Sequence, residues 1–184
     1  MSVFSEYQTD TIDLALDFYG YEDCPKNYEF GPSVRDNFVL HFITKGKGVF
    51  HINKKEIHLE AGDLFLLPKN MATYYKADAE DPWSYYWIGI SGTKVSDFMR
   101  FSTLHAKSFL KKTEVDTERI GLFMKQLIRK AEASKMTLHY QLHLLSQIYE
   151  LLFLISEVAP DIHRSYPSPT YQLYLTCKHV IETH

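Results

Sequence analysis

Between residues 37 and 92 the chain repeats one pattern, a short apolar or alternating segment followed by a turn. The segments recur about every ten residues and are separated by Gly, Pro or Asn. Gly and Asn accept the backbone angles of a tight turn, whereas Pro ends a strand because it cannot donate to a β ladder. This pattern predicts an all-β barrel or sandwich. The predicted strands span residues 38–43, 49–52, 57–59, 64–67, 71–76 and 84–90.

The segments on either side of this region differ from it. The first 35 residues mix aromatic residues with turn formers and predict an N-terminal arm with one or two short strands. After Gly92 the apolar residues recur with a helical period, which predicts helices over 95–104, 116–133 (with Thr117 as N-cap) and 137–158. We therefore expect an arm and barrel over 1–92, a helical region over 93–159, a linker over 160–170, and the beginning of a further domain over 171–184.

The helix predicted at 137–158 has two apolar stripes. The first consists of Leu138, Leu142, Leu145, Tyr149 and Leu152, and the second of Leu144, Ile148, Leu151, Ile155 and Val158. The stripes are centred about 120° apart around the helix axis. One apolar face is enough to dock a helix on its own domain, so a second face favours a further partner. We expect homodimerisation through this helix, and residues of both stripes are candidates for the interface. Coverage of both faces by the chain's own domain is the alternative.

Charge and cysteine content limit the partners and the compartment. The formal net charge is −3 with no basic stripe, so this stretch of sequence is not expected to bind DNA by itself. Cys24 and Cys177 are far apart and predict two reduced thiols. The start has no leader-like apolar run, and the longest apolar stretch, 151–155, is too short to span a bilayer. These features predict a soluble cytoplasmic protein.

The sequence lacks the usual signatures of catalysis and metal binding. It has no phosphate-binding glycine loop and no nucleophile elbow. In metal-binding β barrels, two His in a His-x-His pair, a Glu and a further His converge on one ion. Here His41, His51 and His58 belong to separate predicted strands, and Thr73 stands where the last His would fall. We expect no catalytic residue, no metal and no cofactor, with a metal-dependent isomerase or dioxygenase as the alternative.

Aromatic residues are concentrated at 74–75 and 83–87. On a strand over 84–90, Tyr85 and Trp87 point to one face and Tyr86 to the other. A barrel interior with Trp and Tyr suits a sugar, whose C–H faces stack on the indole while its hydroxyls bond to groups such as Tyr75, Thr73 and Arg35. The alternative is that the aromatics simply fill the barrel, which would leave a ligand-free dimerisation module.

Four blocks of the sequence resemble the N-terminal domain of AraC-family transcription regulators. They are 35–43, 46–48, 61–68 and 81–89, and the last, from Asp81-Pro82-Trp83 to Trp87-Ile88-Gly89, is the most specific. The resemblance is nearest to regulators of raffinose, melibiose and multiple-sugar operons. It implies a cupin-like (double-stranded β-helix, jelly-roll) barrel that binds a saccharide effector. It also implies a homodimer formed through C-terminal helices, and DNA contact only through a separate helix-turn-helix domain, which 171–184 would begin.

The resemblance also implies a set of site residues. Trp87 falls on the family's stacking Trp, and Tyr75, Thr73, Tyr85 and Arg35 fall on further pocket positions. The key pocket Arg of the arabinose-binding member falls on Gly31, so Arg35 would supply that charge here. Glu22 lies near the place where the arm reaches the pocket. The predicted ligand-binding residues are therefore Trp87, Tyr75, Tyr85, Thr73, Arg35, Glu22 and His41.

Overall fold

Ten strands and five helices make up the part of the chain described by this computed structural model, residues 3–6, 12–133, 138–162 and 169–182. The strands are β1 Val3–Glu6, β2 Ala15–Asp23, β3 Glu29–Ser33, β4 Phe38–Lys45, β5 Lys47–Ile52, β6 Lys55–Glu60, β7 Leu64–Leu67, β8 Thr73–Ala77, β9 Ser84–Ser91 and β10 Phe109–Leu110. The helices are α1 Thr93–Met99, α2 Thr103–Lys107, α3 Thr117–Ala133, α4 Leu138–Val158 and α5 Pro169–Glu182. The predicted class, mainly β with C-terminal helices, is confirmed.

The strands form two antiparallel sheets that face each other. The large sheet has the order β1-β2-β9-β4-β7-β10, and the small sheet has the order β3-β8-β5-β6. Side chains from both sheets meet in one buried cluster. Within it, the Phe50 ring of the small sheet lies 5.1 Å from the Phe65 ring of the large sheet. This arrangement is the cupin-like barrel that the sequence predicts.

The middle of the large sheet is buried on both of its faces. Along β4, Val39 and Ile43 point towards the small sheet, whereas Leu40 points to a second cluster shared with the helices. All three are at most 2% exposed. A strand covered on both faces needs apolar residues at consecutive positions, and this explains the nearly continuous apolar run of β4.

Two of the predicted turns have the backbone conformation that their residues favour. Asn53 and Lys54, between β5 and β6, both have positive φ, 51° and 62°. Two successive residues with positive φ form the type I′ hairpin turn, which matches the twist of the flanking strands. At Gly46 φ is 68°, and a Cβ would collide with the carbonyl of Pro82, so the turn between β4 and β5 requires glycine.

The N-terminal part contains more strand than predicted. β2 has nine residues and lies between β1 and β9, while β3 pairs with β8. The pairing of β2 with β9 shifts between Leu16 and Phe18, at a β-bulge. A bulge reverses the alternation of faces along a strand, and for this reason the period of two is hard to recognise in β2.

The helical boundaries also differ from the prediction in two places. The segment 95–104 forms two helices, α1 and the start of α2, because Ser102 caps α2 by accepting a hydrogen bond from the Leu104 amide. At α3 the capping residue is Asp116, whose carboxylate accepts from the Arg119 amide at 3.3 Å. Thr117, predicted as the N-cap, is instead the first helical residue, and its hydroxyl donates to the Gly62 carbonyl.

The second stripe of α4 is covered by the chain itself. Leu144, Ile148, Leu151 and Ile155 are at most 1% exposed and belong to the core that α4 shares with α3 and the large sheet. This corrects the expectation that these four residues form a dimer interface, because α3 and the sheet already fill that face. Val158 is half-buried against the same core.

The first stripe remains partly at the surface. Leu142 is 68% and Tyr149 43% exposed, and Leu145 is half-buried, whereas Leu152 is buried. Phe153, outside both predicted stripes, adds a further apolar side chain that is 57% exposed. The side chain of Leu138 lies outside the described residues. An apolar surface therefore persists on the outer side of α4.

The domain divisions stay predictions. Residue 92 follows directly on the end of β9, but β10, within the region predicted to be helical, pairs with β7 of the large sheet. Residues 163–168 of the predicted linker lie outside the described residues. α5 begins at Pro169, two residues before its predicted start.

Candidate ligand-binding site

A cavity of about 350 Å³ lies between the two sheets. Ligand sites for small molecules usually have volumes of about 300–1,000 Å³. The cavity is lined by the side chains of Phe18, Glu22, Tyr28, Phe30, Arg35, Val39, His41, Leu67, Tyr75, Tyr85 and Trp87. Its size and its mixed aromatic and polar lining are those of a small-molecule site.

Alternation along the strands of the large sheet positions these side chains. In β9, Tyr85 and Trp87 point into the cavity, and the intervening Tyr86 packs against the helical core, as predicted. On that side the Lys125 ammonium of α3 lies 5.7 Å from the centre of the Tyr86 ring. β2 contributes Phe18 and Glu22 to the cavity in the same way. Alternate residues of one strand thus contact the cavity, and the residues between them contact the helical core.

The lining divides by burial into two parts, which we call the floor and the rim. The floor comprises the buried residues Val39, His41, Leu67, Tyr75 and Tyr85. The rim comprises the half-buried residues Phe18, Glu22, Tyr28, Phe30, Arg35 and Trp87. Four of the six rim residues are aromatic, so flat apolar surfaces surround the entrance.

The polar groups of the floor are neutral. The Tyr85 hydroxyl donates to the Tyr75 hydroxyl at 3.3 Å, and burial raises the pKa of both phenols. Burial lowers the pKa of His41 to about 3, and the nearby Arg35 charge adds to this effect. The His41 ring stacks on Phe65 at 4.3 Å, and its Nδ1 is buried without a hydrogen-bond partner among the described residues. The floor therefore offers hydrogen bonds without charge.

The two charged residues of the rim are a cation, Arg35, and a carboxylate, Glu22. The Arg35 guanidinium lies 5.7 Å from the Phe18 ring centre and 5.0 Å from that of Phe30. Its Nε is buried and has no hydrogen-bond partner within the described chain. Burial raises the pKa of the Glu22 carboxyl. The salt bridges of the described residues do not include one between Arg35 and Glu22. Both groups are thus available to a ligand.

Six of the seven predicted site residues line this cavity. Trp87, Tyr75, Tyr85, Arg35, Glu22 and His41 are brought together, and their contact with a ligand stays a prediction. Thr73 does not line the cavity. It is 4% exposed on β8, where it pairs with Ser33 and Ile52 in the small sheet. It lies on the same face of β8 as Tyr75, two residues before it.

Five lining residues were missed by the sequence analysis: Phe18, Tyr28, Phe30, Val39 and Leu67. A local signal existed for two of them. Phe18 lies four residues before Glu22, and Val39 lies two before His41, so each shares a strand face with a predicted site residue. Tyr28, Phe30 and Leu67 lie on other segments, and no sequence spacing connects them with the site.

The two other histidines of the barrel, His51 and His58, have contacts outside the cavity. His58 lies 3.2 Å from the Glu56 carboxylate, and the His51 ring lies 5.2 Å from that of Tyr74. Across the ranges that the structure describes, no three His, Cys, Asp or Glu side chains converge on a possible metal position. Within the same ranges, no helix has the length and apolarity needed to cross a bilayer.

Comparison with known proteins connects this site to a family. The sequence matches the AraC-like ligand binding domain over residues 15–152. It is 35% identical to the Msm operon regulatory protein of Streptococcus mutans over 175 residues, which cover 95% of this chain and 62% of that protein. It is 41% identical to the raffinose operon transcriptional regulatory protein RafR of Pediococcus pentosaceus over 100 residues, 53% of this chain and 36% of that protein.

A further relative and a solved structure complete the comparison. The lactose operon transcription activator of Staphylococcus xylosus is 28% identical over 161 residues, 87% of this chain and 57% of that protein. The chain thus spans less than two thirds of the length of each of these relatives. The cupin domain of Cnp3 from Schizosaccharomyces pombe is similar with a TM-score of 0.42 and 14% identity, over 54% of this chain and 70% of that one.

Proposed function

Because the chain belongs to the family of AraC-like ligand-binding domains, we propose that its cavity binds a saccharide effector of a transcription regulator. The observation that supports this most is the lining of the cavity, where Trp87 and other aromatic rings stand beside neutral and charged hydrogen-bonding groups. Indole faces stack on the C–H faces of sugar rings, and hydroxyls need both donors and acceptors. The names of two relatives refer to raffinose and lactose operons, which fits a saccharide.

In the proposed complex the rim and the floor have different roles. Trp87 stacks on a sugar ring at the rim, where Arg35 donates to hydroxyl oxygens and Glu22 accepts from hydroxyl groups. The Tyr75 and Tyr85 hydroxyls and His41 bond to the part of the ligand that reaches the floor. We infer a binding role and no catalytic one, since the relatives are named as regulators.

Calorimetric titration with raffinose, lactose, galactose and arabinose tests this function. We expect at least one of them to bind, and we expect Trp87→Ala to weaken that binding about tenfold or more, which corresponds to about 1.4 kcal/mol. Trp87→Phe keeps a ring and should lose less. Tyr74→Ala is the matched control, because Tyr74 points away from the cavity on β8 and bonds to Glu29. Absence of heat with every saccharide, or unchanged affinity in Trp87→Ala, would contradict the proposal.

We further propose that the chain forms a homodimer through the outer side of α4. This surface consists of Leu142, Leu145, Tyr149 and Phe153. Exposed apolar side chains at helical spacing are typical of a helix that packs against a partner. The ring of Phe98 from α1 lies 5.9 Å from that of Tyr149 and extends the surface sideways.

Sedimentation velocity tests the dimer. We expect Leu142→Asp to shift the protein to monomer, because a carboxylate in an apolar interface loses its hydration without gaining a partner. Val34→Asp is the control, since Val34 is 62% exposed in the barrel, between β3 and β4, and is not part of the helical region. If Leu142→Asp remains dimeric, or if the wild-type chain is a monomer at high concentration, this assembly is wrong.

We propose that a separate domain of the regulator makes the contacts with DNA. We propose that ligand binding changes how such a domain is presented, through the helices that pack on the large sheet. By linkage, an effector can shift this equilibrium only by the difference in its affinity for the two arrangements.

A further inference from the structure

The floor of the cavity contains no ionised group, although the rim contains two. Of the described residues that line the cavity, Glu22 and Arg35 are the ones that carry charge, and both are half-buried at the entrance. We propose that the floor admits only the uncharged, hydroxyl-bearing end of a saccharide, and that His41 is the specificity-determining residue that bonds to it. This inference rests on the proposed function, and it adds that sugar phosphates and sugar acids are rejected.

His41 is held in one position. Its ring lies parallel to that of Phe65, with 7° between the planes, and meets Tyr85 edge-on at 5.0 Å and Tyr75 at 5.6 Å. Its strand, β4, lies between β9 and β7 in the middle of the large sheet. A side chain fixed in this way has little freedom to lose when it binds a ligand group. Its geometry can therefore select one hydroxyl position.

Part of the hydrogen-bonding capacity of His41 is unused, because its hydrogen bond with the backbone of Val39 accounts for no more than one of the two ring nitrogens. The residue is 2% exposed, and its Nδ1 has no partner among the described residues. Burial keeps the imidazole neutral, and a neutral imidazole donates through one nitrogen and accepts through the other. A sugar hydroxyl can do both as well. A buried polar group without a partner is unfavourable, so a ligand that supplies the missing bond is favoured over an analogue that lacks the hydroxyl.

The same surroundings disfavour an anion. A phosphate or carboxylate at the floor would lose its hydration next to two phenols and a neutral imidazole. The charge of Arg35 reaches His41 and Tyr75, but its guanidinium lies beside the rings of Phe18 and Phe30. Arg35 cannot pair with an anion at the floor without leaving Phe18 and Phe30, and the carboxylate of Glu22, which also lines the cavity, repels an anion. Selection against charged forms therefore follows from the position of the charges, whatever the identity of the neutral sugar.

The experiment uses calorimetry on the whole chain. The probes are galactose, galactose 6-phosphate, galacturonate and the four deoxygalactoses that each lack one hydroxyl, with competition against bound raffinose for weak ligands. We expect both charged sugars to bind at least tenfold more weakly than galactose. We also expect the wild type to bind one deoxygalactose about tenfold more weakly than galactose. His41→Phe keeps an aromatic ring on Phe65, and it should bind galactose about tenfold more weakly than the wild type does. Its affinity for that deoxygalactose should equal the affinity of the wild type. His41→Gln should recover part of the affinity.

The outcomes separate this inference from the proposed function. If a charged sugar binds as tightly as galactose, or if His41→Phe weakens all analogues by one common factor, the inference is wrong, while the function stands as long as Trp87→Ala reduces saccharide binding. If no saccharide binds to the wild type, the function itself fails. If His41→Phe does not fold, as judged by circular dichroism, titration of the wild-type protein with the charged and deoxy sugars still tests whether the floor selects neutral, hydroxyl-bearing ligands.

Discussion

At the scale of single residues, His41 shows how strongly surroundings determine chemistry. The same residue type is exposed at His58, beside a glutamate, and buried at His41, between aromatic rings. Burial is the largest effect on the pKa of His41, and it lowers this pKa from 6.5 to about 3. Between pH 6.5 and about 3, His41 is therefore neutral in the native protein, whereas it is protonated in the unfolded chain.

This difference predicts an acid-dependent loss of stability. Below pH 6.5 the unfolded state binds one more proton at this site than the native state, so stability decreases as the pH falls from 6.5 towards about 3. For one such proton, the free energy of unfolding should drop by about 1 kcal/mol between pH 6.5 and 5.5. Urea unfolding of the wild type and of His41→Phe across this interval measures the effect as the difference in slope. Parallel curves would contradict it.

At the scale of elements, the contact between α3 and the large sheet depends on a residue without a side chain. Gly121 is buried in α3, and a Cβ there would overlap the ring of Phe42 on β4. Two effects oppose each other when alanine replaces this glycine. Helix propensity favours alanine by about 1 kcal/mol, whereas overpacking a core contact costs about 1–3 kcal/mol.

We expect the packing effect to dominate. Gly121→Ala should lower the free energy of unfolding by about 1 kcal/mol, measured by urea denaturation. In a Phe42→Ala background the ring is absent, and the same substitution should then stabilise the protein because only propensity remains. A stabilising Gly121→Ala in the wild-type background would show that Phe42 moves aside without cost.

The elements differ in how far the sequence predicts them. The strands between residues 37 and 92 are predictable because alternation and turn residues are local properties. β2 is not, because its bulge interrupts the alternation, and β10 has two residues that become a strand only by pairing with β7. In α4 the sequence shows two apolar stripes but not which of them α3 covers, since that depends on tertiary packing.

At the scale of the whole molecule, the two cores share the large sheet. On the helical side of that sheet, Leu16, Leu40, Leu64, Leu66, Ile88 and Ile90 are at most 1% exposed. Without the helices these six side chains would form one exposed apolar surface. Surfaces of that kind promote aggregation in soluble proteins. The barrel and the helices are therefore expected to fold as one unit.

Truncation tests this unity. A fragment of residues 1–92 should aggregate or lack a cooperative thermal transition, whereas a fragment of residues 1–162, without α5, should melt like the full chain. The described side chains of α5 are all exposed, so their removal uncovers little. Near-ultraviolet circular dichroism and thermal scans distinguish the two fragments. A cooperative transition in the shorter one would show that the helices are dispensable.

The site was predictable where one strand contains it. Tyr85 and Trp87 follow from the period of two in β9. Tyr75 and Arg35 follow from the hydrogen-bonding groups that a sugar requires, and the family resemblance adds Glu22. Phe30 lies opposite Tyr75 on β3, and this neighbour comes from strand pairing rather than from sequence distance. Thr73 was predicted to line the cavity and does not. Alternation along β8 shows that Thr73 faces the same side of the sheet as Tyr75, but it does not show how far along the strand the cavity extends.

The alternation of β9 has a consequence for how such a protein can diverge. Tyr85 and Trp87 contact the cavity while Tyr86 and Ile88 contact the helical core, so the two sets of residues can mutate independently. Substitutions at Tyr85 and Trp87 can change which compound is recognised without disturbing the helices. Insertion of a single residue would exchange the two faces and lose both functions at once. In descendants of this chain, new effectors should therefore arise through point substitutions in β9, and its length should stay constant.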